Sequence, residues 1–430
     1  MIKTLRKSLI AGVLVLTLSS ARAIDWPQYR GPNHDGVSPE NIEAGWPKTF
    51  LHQLWKVPVN GGFSSFVVGG GKAYTLELKE VEGVDSEVCI ALDINTGKRI
   101  WTAPLAPANF LERDPTGGPN RGPDGNQGGD GPRSTPCIDG NRIYVITANT
   151  TLHCLDAASG KVLWHHDILK EHHGKNPAWG GAASPVIEGD LVLLAGGGPG
   201  ESIMAFNKRD GTVAWKGLTK ALTHSTPNVV DLFGVRQAIF FTQPGLISVE
   251  VKTGRMLWEF PFHYQTSTGI TPLVSGDLVF CSAAYGNGSA VVRISKNGDN
   301  FTATQLWFKP ANEFCTHWST PVVKDGYIYG MLEPREFTTG PLRCVELATG
   351  KIMWSQKGFG PGSTLLVGGK LLALSDAGVL VLIDPSPKGY NELRRAPAVS
   401  GKCWNSPAVS NGRIYVRSVK EAACFDVAVK

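Results

Sequence analysis

The amino-acid sequence predicts an all-β protein, an eight-bladed β-propeller of four-stranded antiparallel blades that is closed by an N-terminal strand completing the C-terminal blade. Three observations predict it. The 430 residues include 51 Gly and 28 Pro while 42% are hydrophobic, which indicates many short strands joined by turns. One sequence unit, with a Ser/Thr-Pro head and a Trp-ended tail, recurs along the chain. Every head is followed by a tail only if a strand near the N-terminus supplies the tail of the last unit.

The head of the unit is a Ser/Thr-Pro pair followed by an apolar strand, a Gly or Asp turn and a second strand. The heads that contain proline are Thr135-Pro136, Ser184-Pro185, Thr226-Pro227, Thr271-Pro272, Thr320-Pro321 and Ser406-Pro407. Ser65-Phe66 and Thr364-Leu365 are degenerate copies, which brings the number of heads to eight. Alternating apolar residues after the heads, as in residues 142–146, are typical of strands.

The tail of the unit reads Ala/Cys-Leu-Asp-x-x-Thr-Gly-Lys-x-x-Trp. Its Asp carboxylate can accept N–H groups of a tight turn, and its Gly can supply a positive φ. We expect the Trp to fill the space between neighbouring blades while its N–H reaches a partner. The tails end at Trp101, Trp164, Trp215, Trp258, Trp307 and Trp354.

The two ends of the chain predict how the ring closes. The eighth head is followed by two strands, 413–417 and 422–427, but by no Trp tail. A tail without a head, residues 53–57, precedes the first head instead, and the seventh unit, 363–399, has a divergent tail around 392–394. Lending one strand across the seam would tie the termini together and remove exposed sheet edges.

Residues 1–23 are predicted to be a cleaved signal peptide, which leaves a single domain over 24–430. Lys3, Arg6 and Lys7 precede an apolar stretch, and Ala21-Arg22-Ala23 is a small-x-small cleavage site. The apolar stretch is too short to span a bilayer. Because the first cysteine is Cys89, lipid attachment is not expected. We therefore expect a monomer that is periplasmic or secreted and does not span the membrane.

Cleavage also removes four positive charges, so that the formal net charge falls from +5 to +1. A near-neutral protein lacks the basic surface that binds nucleic acid or anionic membranes. Cys154, Cys344 and Cys424 stand where other units have a small Ala, which predicts small buried thiols. A disulfide between Cys315 and Cys403 would have to pass over an intervening blade, and the sequence leaves the disulfide state of the eight cysteines open.

These units resemble the tryptophan-docking repeat of pyrroloquinoline-quinone (PQQ) dehydrogenases and of the BamB-type outer-membrane-protein assembly propeller. The opening Asp25-Trp26-Pro27-Gln28-Tyr29-Arg30-Gly31-Pro32 resembles the start of many exported bacterial proteins with PQQ repeats. The resemblance covers residues 26–427. Its motifs are specific for the fold and much less so for an activity.

Loops that enter the innermost strands of a propeller gather around one mouth of its central channel, and they supply the candidate ligand-binding residues. These candidates are Arg133, Trp179, His224, His317, Trp318, Trp404 and Asn405. A cation, imidazoles, an amide and indoles on one funnel could hold a flat or anionic ligand. The alternative is that they pack the funnel and satisfy loop hydrogen bonds.

A Gly-, Pro- and Asp-rich insertion, residues 106–132, is expected at the same face as a lid or a mobile loop. It contains Asp114, Asp124 and Asp130, and carboxylates are ligands that Ca²⁺ prefers, but their spacing does not match an EF-hand. No cysteine and histidine cluster has zinc spacing, so no metal site is assigned.

Two functions remain. The resemblance implies either a PQQ-dependent dehydrogenase oxidising an alcohol or sugar, or a non-catalytic platform. In the dehydrogenases PQQ stacks on a Trp, here Trp318 or Trp404, below a disulfide of adjacent cysteines, and is assisted by Ca²⁺ and an Asp base. Adjacent cysteines are missing here, and no catalytic residue can be assigned. We favour a platform for a small-molecule ligand or a cell-envelope protein, although it lacks the lipid-anchor Cys of the assembly propeller.

Overall fold

The computed structural model describes residues 25–42, 46, 51–108, 131–177, 179–264, 268–333 and 340–429. These residues form eight blades in a ring, which confirms the predicted fold class. Two strands precede the first complete blade, β1 (Val37–Ser38) and β2 (His52–Pro58). The one described helix, α1 (Ile168–Glu171), is a single turn that is capped by the Asp167 carboxylate.

The blades follow one another along the chain, and each runs from its innermost to its outermost strand. The first contains β3 (Val67–Gly69), β4 (Lys72–Val81), β5 (Val84–Asp93) and β6 (Arg99–Pro107). The second contains β7 (Cys137–Asp139), β8 (Arg142–Ile146), β9 (Thr151–Asp156) and β10 (Val162–Asp167). The third contains β11 (Val186–Glu188), β12 (Leu191–Ala195), β13 (Ile203–Asn207) and β14 (Val213–Gly217). The fourth contains β15 (Asn228–Leu232), β16 (Val235–Thr242), β17 (Gly245–Glu250) and β18 (Met256–Pro261).

The second half of the ring repeats this order. The fifth blade contains β19 (Leu273–Ser275), β20 (Leu278–Ala283), β21 (Gly288–Asn297) and β22 (Asn300–Lys309). The sixth contains β23 (Val322–Lys324), β24 (Tyr327–Met331), β25 (Leu342–Glu346) and β26 (Ile352–Gln356). The seventh contains β27 (Ser363–Val367), β28 (Lys370–Leu374), β29 (Val379–Ile383) and β30 (Glu392–Pro397). The eighth contains β31 (Ala408–Ser410), β32 (Arg413–Arg417) and β33 (Glu421–Asp426).

The N-terminal strand completes the eighth blade, as the sequence predicts. Strand β2 pairs antiparallel with β33 and places Trp55 opposite Cys424. The buried Arg417 guanidinium crosses the seam to the first blade, where Nη2 donates to the Asn60 carbonyl oxygen at 2.7 Å and Nη1 to the Thr75 hydroxyl at 3.0 Å. Burial lowers the Arg417 pKa to about 10. The ring is therefore closed both by strand pairing and by a buried polar contact.

The repeated Ser/Thr heads form a belt of hydrogen bonds around the channel. The backbone N–H of one head donates to the hydroxyl of the head in the next blade, for example Ser65 N to Thr135 Oγ1 at 3.0 Å and Ser184 N to Thr226 Oγ1 at 2.9 Å. Ser406 N closes the belt across the seam onto Ser65 Oγ at 3.0 Å. Ser65 thus keeps the role of the head although it lacks the proline, which explains why a hydroxyl is the common feature.

The tail tryptophans dock between blades, as predicted. In five blades the indole N–H donates to a carbonyl of the next blade, as in Trp215 Nε1 to the Val251 oxygen at 2.9 Å. The same ring lies over the glycine of the next blade's tail turn: a Cβ on Gly254, whose φ is +71°, would lie 2.5 Å from Trp215 Cε3. That glycine supplies both a left-handed turn and room for the indole.

Each outermost strand contains an irregularity where it passes the docking position. A register shift interrupts the pairing in every blade, for example between Ala205 and Phe206 in the third and between Gln53 and Trp55 in the eighth. Such β-bulges twist an edge strand and disfavour pairing with another chain. The repeat thereby protects the eight edges that a propeller leaves on its rim.

Residues 25–42 lie in the central channel, which the sequence did not predict. Strand β1 pairs parallel with β27, so the seventh blade has five strands instead of the expected four. Trp26 forms a two-way backbone bridge with Val68 of β3, and the Pro27 carbonyl oxygen accepts from Ile138 N at 2.7 Å. The segment therefore contacts innermost strands on different sides of the ring.

All eight cysteines are buried and free: Cys154, Cys344 and Cys424 are small core residues, as predicted, and no disulfide joins Cys315 to Cys403 in the structure. Of the described helices, none has the length and apolar character needed to cross a membrane.

Candidate functional site

The loops before the innermost strands meet at one end of the channel, here called the mouth. A continuous series of aromatic contacts crosses it. Phe63 stacks on Trp404 with ring centroids 5.5 Å apart, and Trp404 lies 4.3 Å from Trp318. The His317 ring touches Trp318 at 4.9 Å and Tyr285 at 5.2 Å, both edge to face. The mouth is therefore lined by rings from the first, fifth, sixth and eighth blades.

Trp179 extends this series to the other side of the mouth. Its ring is parallel to that of Tyr285, with centroids 6.5 Å apart and planes inclined by 10°. Trp179 and Tyr285 have φ values of +64° and +56°, a strained conformation for bulky residues that tertiary contacts must maintain. Arg133 Nη1 donates to the Trp179 carbonyl oxygen at 3.0 Å and holds this loop.

The histidines at the mouth are buried, and His317 is uncharged at neutral pH. Burial lowers the His317 pKa to about 3, with a smaller contribution in the same direction from the neighbouring His224. His224 is only 8% exposed and lies on the same side as His317. Neither imidazole reaches far into solvent, so in this arrangement they pack the wall of the mouth.

Polar groups lie directly below the aromatic rings. The Asn405 backbone oxygen accepts from the Ser363 hydroxyl at 2.9 Å, while its side-chain amide, 4% exposed, has no hydrogen-bond partner among the described residues. The Ser134 and Ser319 hydroxyls are in the same situation within the described chain. All three stand two positions before the proline of their head, so the repeat places them on one collar. Buried polar groups of this kind require water or a bound ligand.

The structure thus brings six of the seven predicted residues, Arg133, Trp179, His317, Trp318, Trp404 and Asn405, to one mouth, with His224 behind His317. Three residues outside the predicted set join them: Tyr285, Phe63, and Lys402, whose ammonium lies 4.6 Å from the Trp404 ring centroid. Phe63 stands at the repeat position of Trp404, so its signal was available. Tyr285 lies in the loop between the second and third strands of the fifth blade, outside both the head and the tail motif, so the repeat gave no signal for it.

The Gly-, Pro- and Asp-rich insertion lies outside the described residues except at its ends. Its predicted first residues, 106 and 107, belong to β6, because that strand continues to Pro107. Asp114, Asp124 and Asp130 lie outside the described residues. Within the part of the chain that the structure describes, no group of three or more His, Cys, Asp or Glu side chains is placed to hold a metal ion.

Comparison with solved structures also identifies the β-propeller fold. The crystal structure of BamB from Moraxella catarrhalis superimposes with a TM-score of 0.59 at 14% identity, covering 87% of this chain and 99% of that one. The quinohemoprotein alcohol dehydrogenase of Comamonas testosteroni gives a TM-score of 0.61 at 14% identity, covering 95% and 81%. At these identities the likeness concerns the fold alone.

Comparison with sequences is more specific. BamB of Moranella endobia is 25% identical over 297 residues, 65% of this chain and 71% of that protein. BamB of Shewanella oneidensis is 26% identical over 238 residues, 52% of this chain and 57% of that protein. The family model described as outer membrane protein assembly factor BamB matches residues 84–356, more than half of the chain. The chain therefore belongs to the BamB family of outer membrane protein assembly factors.

Proposed function

We propose that this protein is a non-catalytic binding platform of the bacterial cell envelope, which holds a protein partner at its aromatic mouth. The observation that carries the proposal is the series of six aromatic or imidazole rings from Phe63 to Trp179. Its relatives are named as assembly factors for outer membrane proteins, which supports a protein partner. Residues 1–23 as a signal peptide would deliver the chain to the periplasm or beyond.

The mouth has the properties of a protein-binding surface. Aromatic residues and arginine are enriched at the centres of protein interfaces: the aromatic rings bury large areas with few rotatable bonds, and the guanidinium supplies several hydrogen-bond donors. Here the rings support one another, and Tyr285 remains 40% exposed at the surface. Because the contacts fix the rings before binding, little conformational entropy would be lost when a partner docks. Arg133 and Lys402 add positive charge at the edge of the rings.

The alternative, a PQQ-dependent dehydrogenase, is supported less well by the same residues. A cofactor that stacks on an indole needs an open ring face. Phe63, Trp318 and the Lys402 ammonium already pack on Trp404, and the edge of His317 packs on Trp318. The unpartnered Asn405 amide would suit a polar ligand, but the rings and the ammonium that pack on Trp404 and Trp318 make these indoles a less favourable surface for a stacked quinone.

Site-specific photo-crosslinking tests the proposal. A photoreactive amino acid in place of Tyr285 is expected to form a discrete adduct with an envelope protein that mass spectrometry identifies. The matched control is Phe233, which is 47% exposed in the turn after β15, at the end of the channel opposite the mouth. The adduct at Tyr285 should disappear in a Trp404→Ala background. Equal crosslinking from both positions, or none from Tyr285, would contradict a partner at the mouth.

A further inference from the structure

Residues 25–42 are held in the channel by contacts of the kind that bind peptides. Strand β1 adds to the exposed edge of β27, and the Gly36 and Ser38 carbonyl oxygens accept from Leu366 N at 2.8 Å and Gly368 N at 3.0 Å. At the other end of the segment, Trp26 N and O pair with Val68 O and N at 2.9 and 2.8 Å. Main-chain pairing with a sheet edge provides affinity in strand-addition complexes, and side-chain anchors provide specificity.

Two side chains anchor the segment, Trp26 and Arg30, each 1% exposed. Arg30 Nη1 donates to the Thr320 carbonyl oxygen at 2.8 Å, and Nη2 donates to that of Pro321 at 2.7 Å. Nη2 also reaches the Asp35 carbonyl at 3.0 Å, which folds the segment around the guanidinium. A planar fork with several donors suits this arrangement, and an ammonium would not replace it.

Two glycines of the segment leave the space that these anchors occupy. Gly31 has a φ of +82°, and a Cβ there would lie 2.8 Å from the Trp26 ring. Gly36 has a φ of +75°, and a Cβ there would lie 2.6 Å from Arg30 Nη2. The Trp-Arg-Gly pattern of the opening motif is therefore explained by one compact structure that fills the channel.

The position of the segment defines which end of the channel it occupies. The Glu40 carboxylate accepts from the backbone N–H groups of Asn411 and Gly412, in the turn after β31, and Gly368 lies in the turn after β27. The mouth is formed by the loops that enter innermost strands, whereas these turns follow them. The C-terminal part of the segment therefore lies at the opposite end, and the Arg30 side chain reaches from there to the head of the sixth blade.

We propose that the end of the channel opposite the mouth is a peptide-binding site for a segment with a Trp and an Arg four positions apart, and that the chain's own residues 25–42 occupy it as a plug. The plug occupies this end of the channel. Its contacts are with innermost strands, heads and turns and leave the pairing within the blades intact, so it can be released while the blades stay folded.

Cys137 reports on the plug. It lies in β7, is 1% exposed, and its Sγ is 3.6 Å from Gln28 Oε1. Alkylation with iodoacetamide followed by peptide mapping would compare it with Cys89 and Cys281, which are buried in the blades. In a Trp26→Ala, Arg30→Ala variant of the full chain we expect Cys137 labelling to rise about tenfold or more, while Cys89 and Cys281 stay protected. Arg142→Ala is the control, since Arg142 also donates to carbonyl oxygens, but to those of Lys208 and Arg209 in the third blade.

Addition of a synthetic peptide of residues 25–42 to the variant should restore the protection of Cys137, and a peptide with alanine at both anchors should not. Should the double variant fail to fold, Glu40→Gln removes a charged acceptor at the far end of the plug and should give a smaller rise. Unchanged Cys137 labelling, parallel labelling of Cys89 and Cys281, or a peptide without effect would each overturn the proposal. A wild-type dimer that the variant converts to monomer would overturn the assignment to the same chain.

Discussion

The docking of an indole on a glycine predicts the effect of a single methyl group. Gly254→Ala places a Cβ 2.5 Å from Trp215 Cε3, so the indole must move away and its 2.9 Å hydrogen bond to the Val251 oxygen is strained or lost. The left-handed backbone, with φ +71°, costs an L-residue about 1–2 kcal/mol. Loss of the hydrogen bond and of packing adds about 1–3 kcal/mol. We expect a total of about 3 kcal/mol.

Gly276→Ala is the matched control. Gly276 has a similar φ of +61°, but a Cβ there meets no atom within 4 Å. It should therefore cost only the backbone contribution of about 1 kcal/mol. Urea denaturation followed by tryptophan fluorescence measures both variants, and the difference between their free energies of unfolding isolates the docking contact. If the two alanines destabilise the protein equally, the indole does not depend on the glycine below it and the reasoning is wrong.

Three further predictions follow from the belt, the seam and the buried histidines. Thr226→Val leaves the Ser184 N–H without its acceptor and should cost about 1–3 kcal/mol in urea denaturation, whereas Thr212→Val, at an exposed turn, should cost less than about 0.5 kcal/mol. Arg417→Ala should cost about 3–5 kcal/mol, because it leaves the Asn60 and Leu76 carbonyl oxygens on one side of the seam and that of Ser418 on the other without their donor, while exposed Arg395→Ala should change little; equal effects would contradict the role of Arg417. Burial lowers the pKa values of His34 and His317 to about 3 and that of His153 to about 4, so below about pH 6.5 the unfolded chain binds protons that the folded chain does not. Stability should therefore fall as the pH is lowered from 6.5 towards 3, and the fall should be shallower for His317→Gln; identical profiles would show that His317 is not buried in its neutral form.

The repeat in the sequence was sufficient to predict the ring of blades, because one head and one tail recur in every blade. The roles of their residues needed the structure: the hydroxyl of the head serves the preceding blade, and the glycine of the tail serves the tryptophan of another blade. Neither relation is local in sequence. The seam was predictable from the unpaired tail at Trp55, whereas Arg417 carries no repeat signal.

The candidate site was predictable to the extent that it follows the repeat. Trp318 and Trp404 stand at equivalent positions, and their proximity follows from the fold. Tyr285 lies between the second and third strands of its blade, outside the head and tail motifs, and Lys402 reaches the mouth through its long side chain, so the repeat marked neither position. Residues 25–42 were recognised as a motif, but a segment without heads or tails gives no sign that it enters the channel.

Calorimetric titration of PQQ and Ca²⁺ into the purified protein tests most directly whether the mouth is a platform or a quinone site. Because Phe63, Trp318 and Lys402 pack on Trp404 and His317 packs on Trp318, we predict no saturable heat, and none in Trp318→Ala either. Stoichiometric PQQ binding to the wild type that Trp318→Ala abolishes would contradict the account.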